Sequence, residues 1–187
     1  MHIRDIELPG LFLIMPKRIE DARGWFSEVW NKRVLEEQGY PLPDFVQENH
    51  SYSKQEHVLR GLHYQAPPHA QDKLVRCTRG RILDVAVDVR VDSPRYGDWC
   101  AADLSAENGR QLFVPKGFLH GFLTLEPDCE VQYKCSDYYA PEQEGSVLWD
   151  SLGIEWGIAD PIVSQKDAAA TRFADFKSPF THDEAPS

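Results

Sequence analysis

Cysteine is scarce in this chain: four in 187 residues, Cys77, Cys100, Cys129 and Cys135, with no Cys-x-x-Cys pair. Thiols scattered in this way argue against a zinc site or redox dithiol, and no disulfide framework is expected at this length, so reduced, buried cysteines are. No apolar run approaches the roughly 18 residues that a membrane span requires. The opening stretch MHIRDIELPGLFLIMP places charges among its first seven residues and holds only a short apolar run at 11–15. That is a poor secretory signal, and a cytoplasmic protein is expected. Basic residues are outnumbered, with 20 Lys and Arg against 30 Asp and Glu for a net charge of −10. A nucleic-acid surface needs a basic footprint, so neither nucleic acid nor membrane is expected as a partner. An acidic protein can still bind a small anion where a few arginines and lysines converge in one cleft.

Hydrophobic residues make up 42% and charged residues 27%, as in ordinary globular chains. The length, without repeats, low-complexity tracts or linkers, fits one domain over 1–187, with a polar tail loosely ordered from about 175. The patterning is that of strands. In LDVAVDVRV (83–91), Leu83, Val85, Val87, Val89 and Val91 face one way, with Asp84, Asp88 and Arg90 among those facing the other. KLVRCTRGRIL reads as two strands joined by a hairpin turn at Thr78-Arg79-Gly80, and RQLFVP, GFLHGFLTL and EVQYKCSDYY as three more. Short strands at this spacing predict a mainly-β sandwich or barrel. A helix is expected over 31–39, from Asn31 as N-cap to Gly39, and a second short one over 165–173.

The stretch LRGLHYQ (59–65) suits a strand yet holds Arg60, His63 and Gln65, of which Arg60 and His63 are costly to bury without partners. HYQ, together with PKGFLHGF (115–122) and its His120, resembles the two motifs of the cupin barrels, many of which bind metal. Here Gln65 stands where a second histidine would sit and no glutamate follows at the short distance required, so no metal is expected. The chemistry then falls to protons and positive charge. His63 is the candidate base, Tyr133, Tyr138 and Tyr139 are candidate acids, and Arg23, Arg60 and Lys73 are candidate cations. The base needs an orienting carboxylate, for which spacing leaves Asp84, Asp88 and Asp167 open.

Eight segments in order resemble one family: ARGWFSE (22–28), QENH (47–50), LRGLHYQ (59–65), KLVRC (73–77), DVAVDVR (84–90), LSAENGRQLFVPKGFLHGF (104–122), YKCSDYYAPEQEGSVLWD (133–150) and SQKDAAA (164–170). The chain is similar to the dTDP-4-dehydrorhamnose 3,5-epimerases from about residue 3 to 170. The resemblance implies a cupin-like jelly-roll β-barrel, no cofactor, and a homodimer whose pocket is shared between subunits. It implies inversion at C3 and C5 of a dTDP-linked 4-keto-6-deoxy sugar, on the route that supplies dTDP-rhamnose. His63 would be the base, Asp167 its orienting partner, Lys73 the enolate-stabilising cation and Tyr133 the acid. Arg23 and Arg60 would hold the diphosphate and Tyr139 would stack on thymine, with Glu28, Gln47, Asn49, His120, Glu144 and Lys166 as further substrate contacts. Some relatives epimerise a single carbon of a related keto-sugar, and a metal-dependent cupin is the other alternative. The presence of Tyr133 favours the double epimerase.

Overall fold

The structure, a computed structural model, describes residues 1–182. The chain starts with strands β1 (His2–Asp5), β2 (Phe12–Met15), β3 (Arg18–Asp21) and β4 (Gly24–Ser27), followed by helix α1 (Lys32–Glu37). Then come β5 (Gln47–Ser53), β6 (Leu59–Gln65), β7 (Lys73–Arg79), β8 (Arg81–Asp88) and β9 (Arg90–Val91). The last group is β10 (Trp99–Ser105), β11 (Gln111–Val114), β12 (Phe118–Thr124), β13 (Cys129–Cys135), β14 (Glu144–Ser146), helix α2 (Gln165–Ala168) and β15 (Phe180–Thr181). Six strands form one sheet in the order β1-β2-β11-β7-β13-β5 and five form a second in the order β10-β8-β12-β6-β14. Both are antiparallel throughout.

Because the sheets face each other, each strand alternates between the barrel interior and an outer face. Ile82 and Ala86 of β8 meet Leu13, Val75, Leu112 and Val131 of the other sheet in the interior. The opposite face of β8, with Val85 and Val87, is also buried, against Leu59, Leu119, Trp156 and Phe180. The alternation read in 83–91 holds from Leu83 to Val89 but not at Val91, which is exposed, and its polar side turns into the barrel: Asp84 and Asp88 are both fully buried. A third cluster packs Leu35 of α1 over Ile14, Leu74 and Phe113. As expected, Asn31 caps α1, its side chain accepting from the Val34 amide.

Several local expectations give way to tertiary packing. Thr78-Arg79-Gly80 is not a hairpin turn, because β7 and β8 belong to different sheets and Gly80 turns the corner between them. The second helix covers only Gln165–Ala168, since Thr171 leaves it to bridge Val147. The run EVQYKCSDYY leaves its ladder after Cys135. The segment beyond 175 is docked as far as it is described: Phe180–Thr181 pairs in parallel with Arg90–Val91, and Phe180 is buried. Residues 183–187, the rest of the tail expected to be loose, lie outside the described residues. Among the described residues no helix is long and apolar enough to cross a membrane.

One irregularity positions the site. Arg60 and His63 are an odd number of residues apart, so a regular strand would point them to opposite faces. Across β6 and β12, however, His63 pairs with His120 and Arg60 with Phe122, so β6 holds two intervening residues where β12 holds one. This bulge turns both side chains to the cavity. Gly61 lies in it at φ 135°, and a Cβ there would sit 2.6 Å from the Gly121 Cα and 3.0 Å from the His120 oxygen. Gly61→Ala is expected to destabilise the fold by about 3 kcal/mol, from backbone strain plus the clash. Urea denaturation checks this; a loss under about 1 kcal/mol would show that the bulge tolerates a side chain.

Candidate active site

A cavity of about 540 Å³ opens between the sheets, with His63, Arg60, His120, Lys73, Tyr133 and Asp167 in its walls. His63 Nε2 lies 2.6 Å from Asp167 Oδ1. The short helix α2 makes this contact possible: Ser164 caps it by accepting from the Asp167 amide at 3.0 Å, which fixes the carboxylate beside β6. Burial raises the Asp167 carboxyl, but the hydrogen bonds from His63, Ser164 and the Gly61 backbone outweigh it and hold the group below 3.8. An ionised Asp167 accepts the Nε2 proton, leaving Nδ1 of His63 as the basic nitrogen. Of the three carboxylates left open by the sequence, Asp88 is spent on Arg90 and Ser93, and Asp84 pairs with His120 at 2.8 Å.

The opposite wall comes from the six-stranded sheet. Tyr133 stands on β13 across from Asn49 of β5, and burial raises its hydroxyl, which therefore keeps its proton at neutral pH. Lys73 on β7 has its ammonium lowered, chiefly by burial, with Cys135, Asp84 and Glu144 opposing that only through space. The cavity thus has a carboxylate-held imidazole on one sheet, and a protonated phenol and a desolvated cation on the other. That arrangement suits removing a proton from one face of a bound molecule and returning one to the other.

At the rim, Arg60 donates to Ser53 Oγ and the Tyr52 carbonyl. Glu144 accepts from the Lys166 ammonium and the Tyr139 hydroxyl, and although burial raises it these partners hold it ionised. Gln47 donates to Asn49 at 3.0 Å and accepts from the Tyr139 amide at 2.9 Å. So His63, Lys73, Arg60, His120, Tyr133, Glu144, Lys166 and Asp167 line the cavity, while Gln47, Asn49 and Tyr139 adjoin it through hydrogen bonds or register. Tyr138, a candidate acid, is exposed at the surface.

Two residues are not brought to the cavity. Arg23 lies at the turn of the β3–β4 hairpin, paired with Asp21 and exposed, and Glu28 accepts from Asn31. The same hairpin leaves Ile19, Trp25 and Phe26 at 59%, 56% and 70% exposure. Sequence reading missed Ser51, Phe122 and Ser164 in the walls. The period of two from Gln47 and Asn49 reaches Ser51, the same period from His120 reaches Phe122, and S-Q-K-D is a capping pattern. Among the described residues no three His, Cys, Asp or Glu side chains converge on a point that could hold a metal ion.

Fold and cavity together define a cupin-like β-barrel equipped for acid–base chemistry. The family model for dTDP-4-dehydrorhamnose 3,5-epimerase matches residues 5–175, and the chain belongs to that family. It is 49% identical over 166 residues to the dTDP-4-dehydrorhamnose 3,5-epimerase of Salmonella typhimurium, covering 87% of this chain and 90% of the relative. The corresponding protein of Shigella flexneri is 46% identical, covering 94% and 97%. Among solved structures, a dTDP-6-deoxy-D-glucose-3,5-epimerase from Legionella pneumophila in complex with dTDP-4-keto-L-rhamnose superposes with a TM-score of 0.88 at 41% identity, covering 94% and 95%.

The lowered carboxyl of Asp167 makes stability pH-dependent. Its folded pKa lies below the ordinary 3.8, so its contribution is complete above about pH 5 and is lost as pH falls through the folded value. Asp167→Asn should therefore cost about 2 kcal/mol at neutral pH and progressively less in acid. Urea melts of both proteins between about pH 3 and 7 check this; a pH-independent difference would contradict it.

Proposed function

We propose that the protein converts dTDP-4-dehydro-6-deoxy-D-glucose to dTDP-4-dehydro-L-rhamnose, inverting C3 and C5 in the supply of dTDP-L-rhamnose. The observation that carries this reading is the placement of the His63–Asp167 pair and Tyr133 on opposing sheets across one cavity. The sugar complex of the Legionella relative supports the choice of substrate. His63 takes the proton from a carbon flanking the C4 ketone, and the electron pair moves onto the ketone oxygen. Lys73 meets that oxyanion in a site where burial makes a fixed cation effective. Tyr133 returns a proton to the opposite face, which inverts the carbon. Water then reprotonates the tyrosinate and takes the proton held by His63, and the cycle repeats at the second carbon.

Arg60 and Arg23 are assigned to the diphosphate, Tyr139 to the thymine ring, and Glu28, Gln47, Asn49, His120, Glu144 and Lys166 to further substrate contacts. Arg23 and Glu28 lie outside their own subunit's cavity, on and beside a hairpin with exposed aromatics. We therefore assign them to the cavity of a neighbouring subunit in a homodimer.

The test is incubation with dTDP-4-dehydro-6-deoxy-D-glucose, borohydride reduction, hydrolysis and sugar analysis. Wild type should yield 6-deoxy-L-hexoses, rhamnose among them; recovery of 6-deoxy-D-hexoses alone would overturn the proposal. Tyr133→Phe and His63→Asn should each lower the rate of L-sugar formation by about 100-fold or more.

A further inference from the structure

Residues 137–140 follow β13 without joining a sheet, yet their backbone is closely held. The Asp137 carbonyl accepts from Gln71 Nε2 at 2.8 Å, and the Tyr138 carbonyl from Gln65 Nε2 at 2.9 Å. The Tyr139 amide donates to Gln47 Oε1 and the Ala140 amide to Gln65 Oε1, both at 2.9 Å. Side-chain amides from β5, β6 and the loop before β7 thus replace the strand neighbour that this segment lacks. Gln65 is the centre of the arrangement. It is buried, and its remaining donor bond goes to the His69 carbonyl, so both its nitrogen and its oxygen are engaged. A histidine cannot offer a donor and an acceptor at this spacing, and a glutamate would set a carboxylate against two carbonyl oxygens.

The result is a fixed backbone carrying an exposed ring. Tyr139 is 54% exposed, while its hydroxyl is tied to Glu144, which pairs with Gln65 across β14 and β6. A stacking platform needs this combination, because binding then costs little ordering of the loop. We propose that Gln65, assisted by Gln71, is a positioning residue for nucleobase recognition that acts through Tyr139. The inference rests on the reading of the protein as a dTDP-sugar enzyme.

The experiment is calorimetric titration of the full chain with dTDP, alongside kinetics. Gln65→Met should weaken dTDP about tenfold and raise KM, with kcat within about twofold of wild type. Tyr139→Ala should weaken dTDP by about tenfold or more. Added to Tyr139→Ala, Gln65→Met should cost less than about twofold further, because its effect passes through the ring already removed. An equal loss in both backgrounds, or a kcat that falls with KM unchanged, would overturn the proposal. Should Gln65→Met not fold, Gln71→Ala at a half-buried position carries the same cycle, with about a threefold loss expected alone and none beyond Tyr139→Ala. Failure of wild type to bind dTDP would overturn the functional reading and this inference with it; tight binding unaffected by either glutamine variant would overturn this inference alone.

Discussion

Charge inside a β-barrel has to be paired or left facing water, and the interior of this protein is arranged around that constraint. Part of it is an ordinary apolar core of Ile82, Ala86, Leu104, Leu112 and Val131. The rest is polar: His63 with Asp167 and His120 with Asp84, with Glu144 and Lys166 paired at the rim. Among the described residues Lys73 has no such close partner, and burial lowers its ammonium. A desolvated ammonium opposed only by distant charges costs stability, and the proposed oxyanion would supply the partner. The Oδ2 atom of Asp84, buried without a partner among the described residues, is a second such cost beside the same cavity.

Inversion at carbon needs two faces, and a sandwich supplies two walls. His63 belongs to the five-stranded sheet, Tyr133 and Lys73 to the six-stranded one. The His63 imidazole and the Tyr133 phenol thus reach one cavity from different sheets. The roles are separated by environment: one carboxylate keeps a proton on His63 Nε2, while desolvation keeps one on the Tyr133 hydroxyl.

Much of this was legible in the residues. Periodicity of two in 83–91 and short strands at regular spacing pointed to a mainly-β sandwich or barrel, and the cap at Asn31 to the start of α1. Eight of the thirteen site residues that the family resemblance implied line that cavity. What could not be read is what depends on long-range packing. Gly80 looks like a hairpin turn because a turn residue does not say whether the next strand returns to the same sheet. Arg60 and His63 look incompatible with one strand face, since a bulge is defined by the partner strand's register. Asp84, Asp88 and Asp167 could not be told apart as partners of His63 because sequence distance carries no spatial distance; α2 brings the carboxylate 104 positions away into contact.

The central claim is that one base and one acid on opposite walls exchange protons beside a ketone. Proton NMR of the purified protein with dTDP-4-keto-6-deoxyglucose in heavy water, with EDTA present, tests it most directly. The account predicts deuterium from solvent at both C3 and C5 of the inverted product. Inversion with no deuterium gained at either carbon would contradict proton abstraction through a solvent-exchanging base and acid, and with it the mechanism assigned to this cavity.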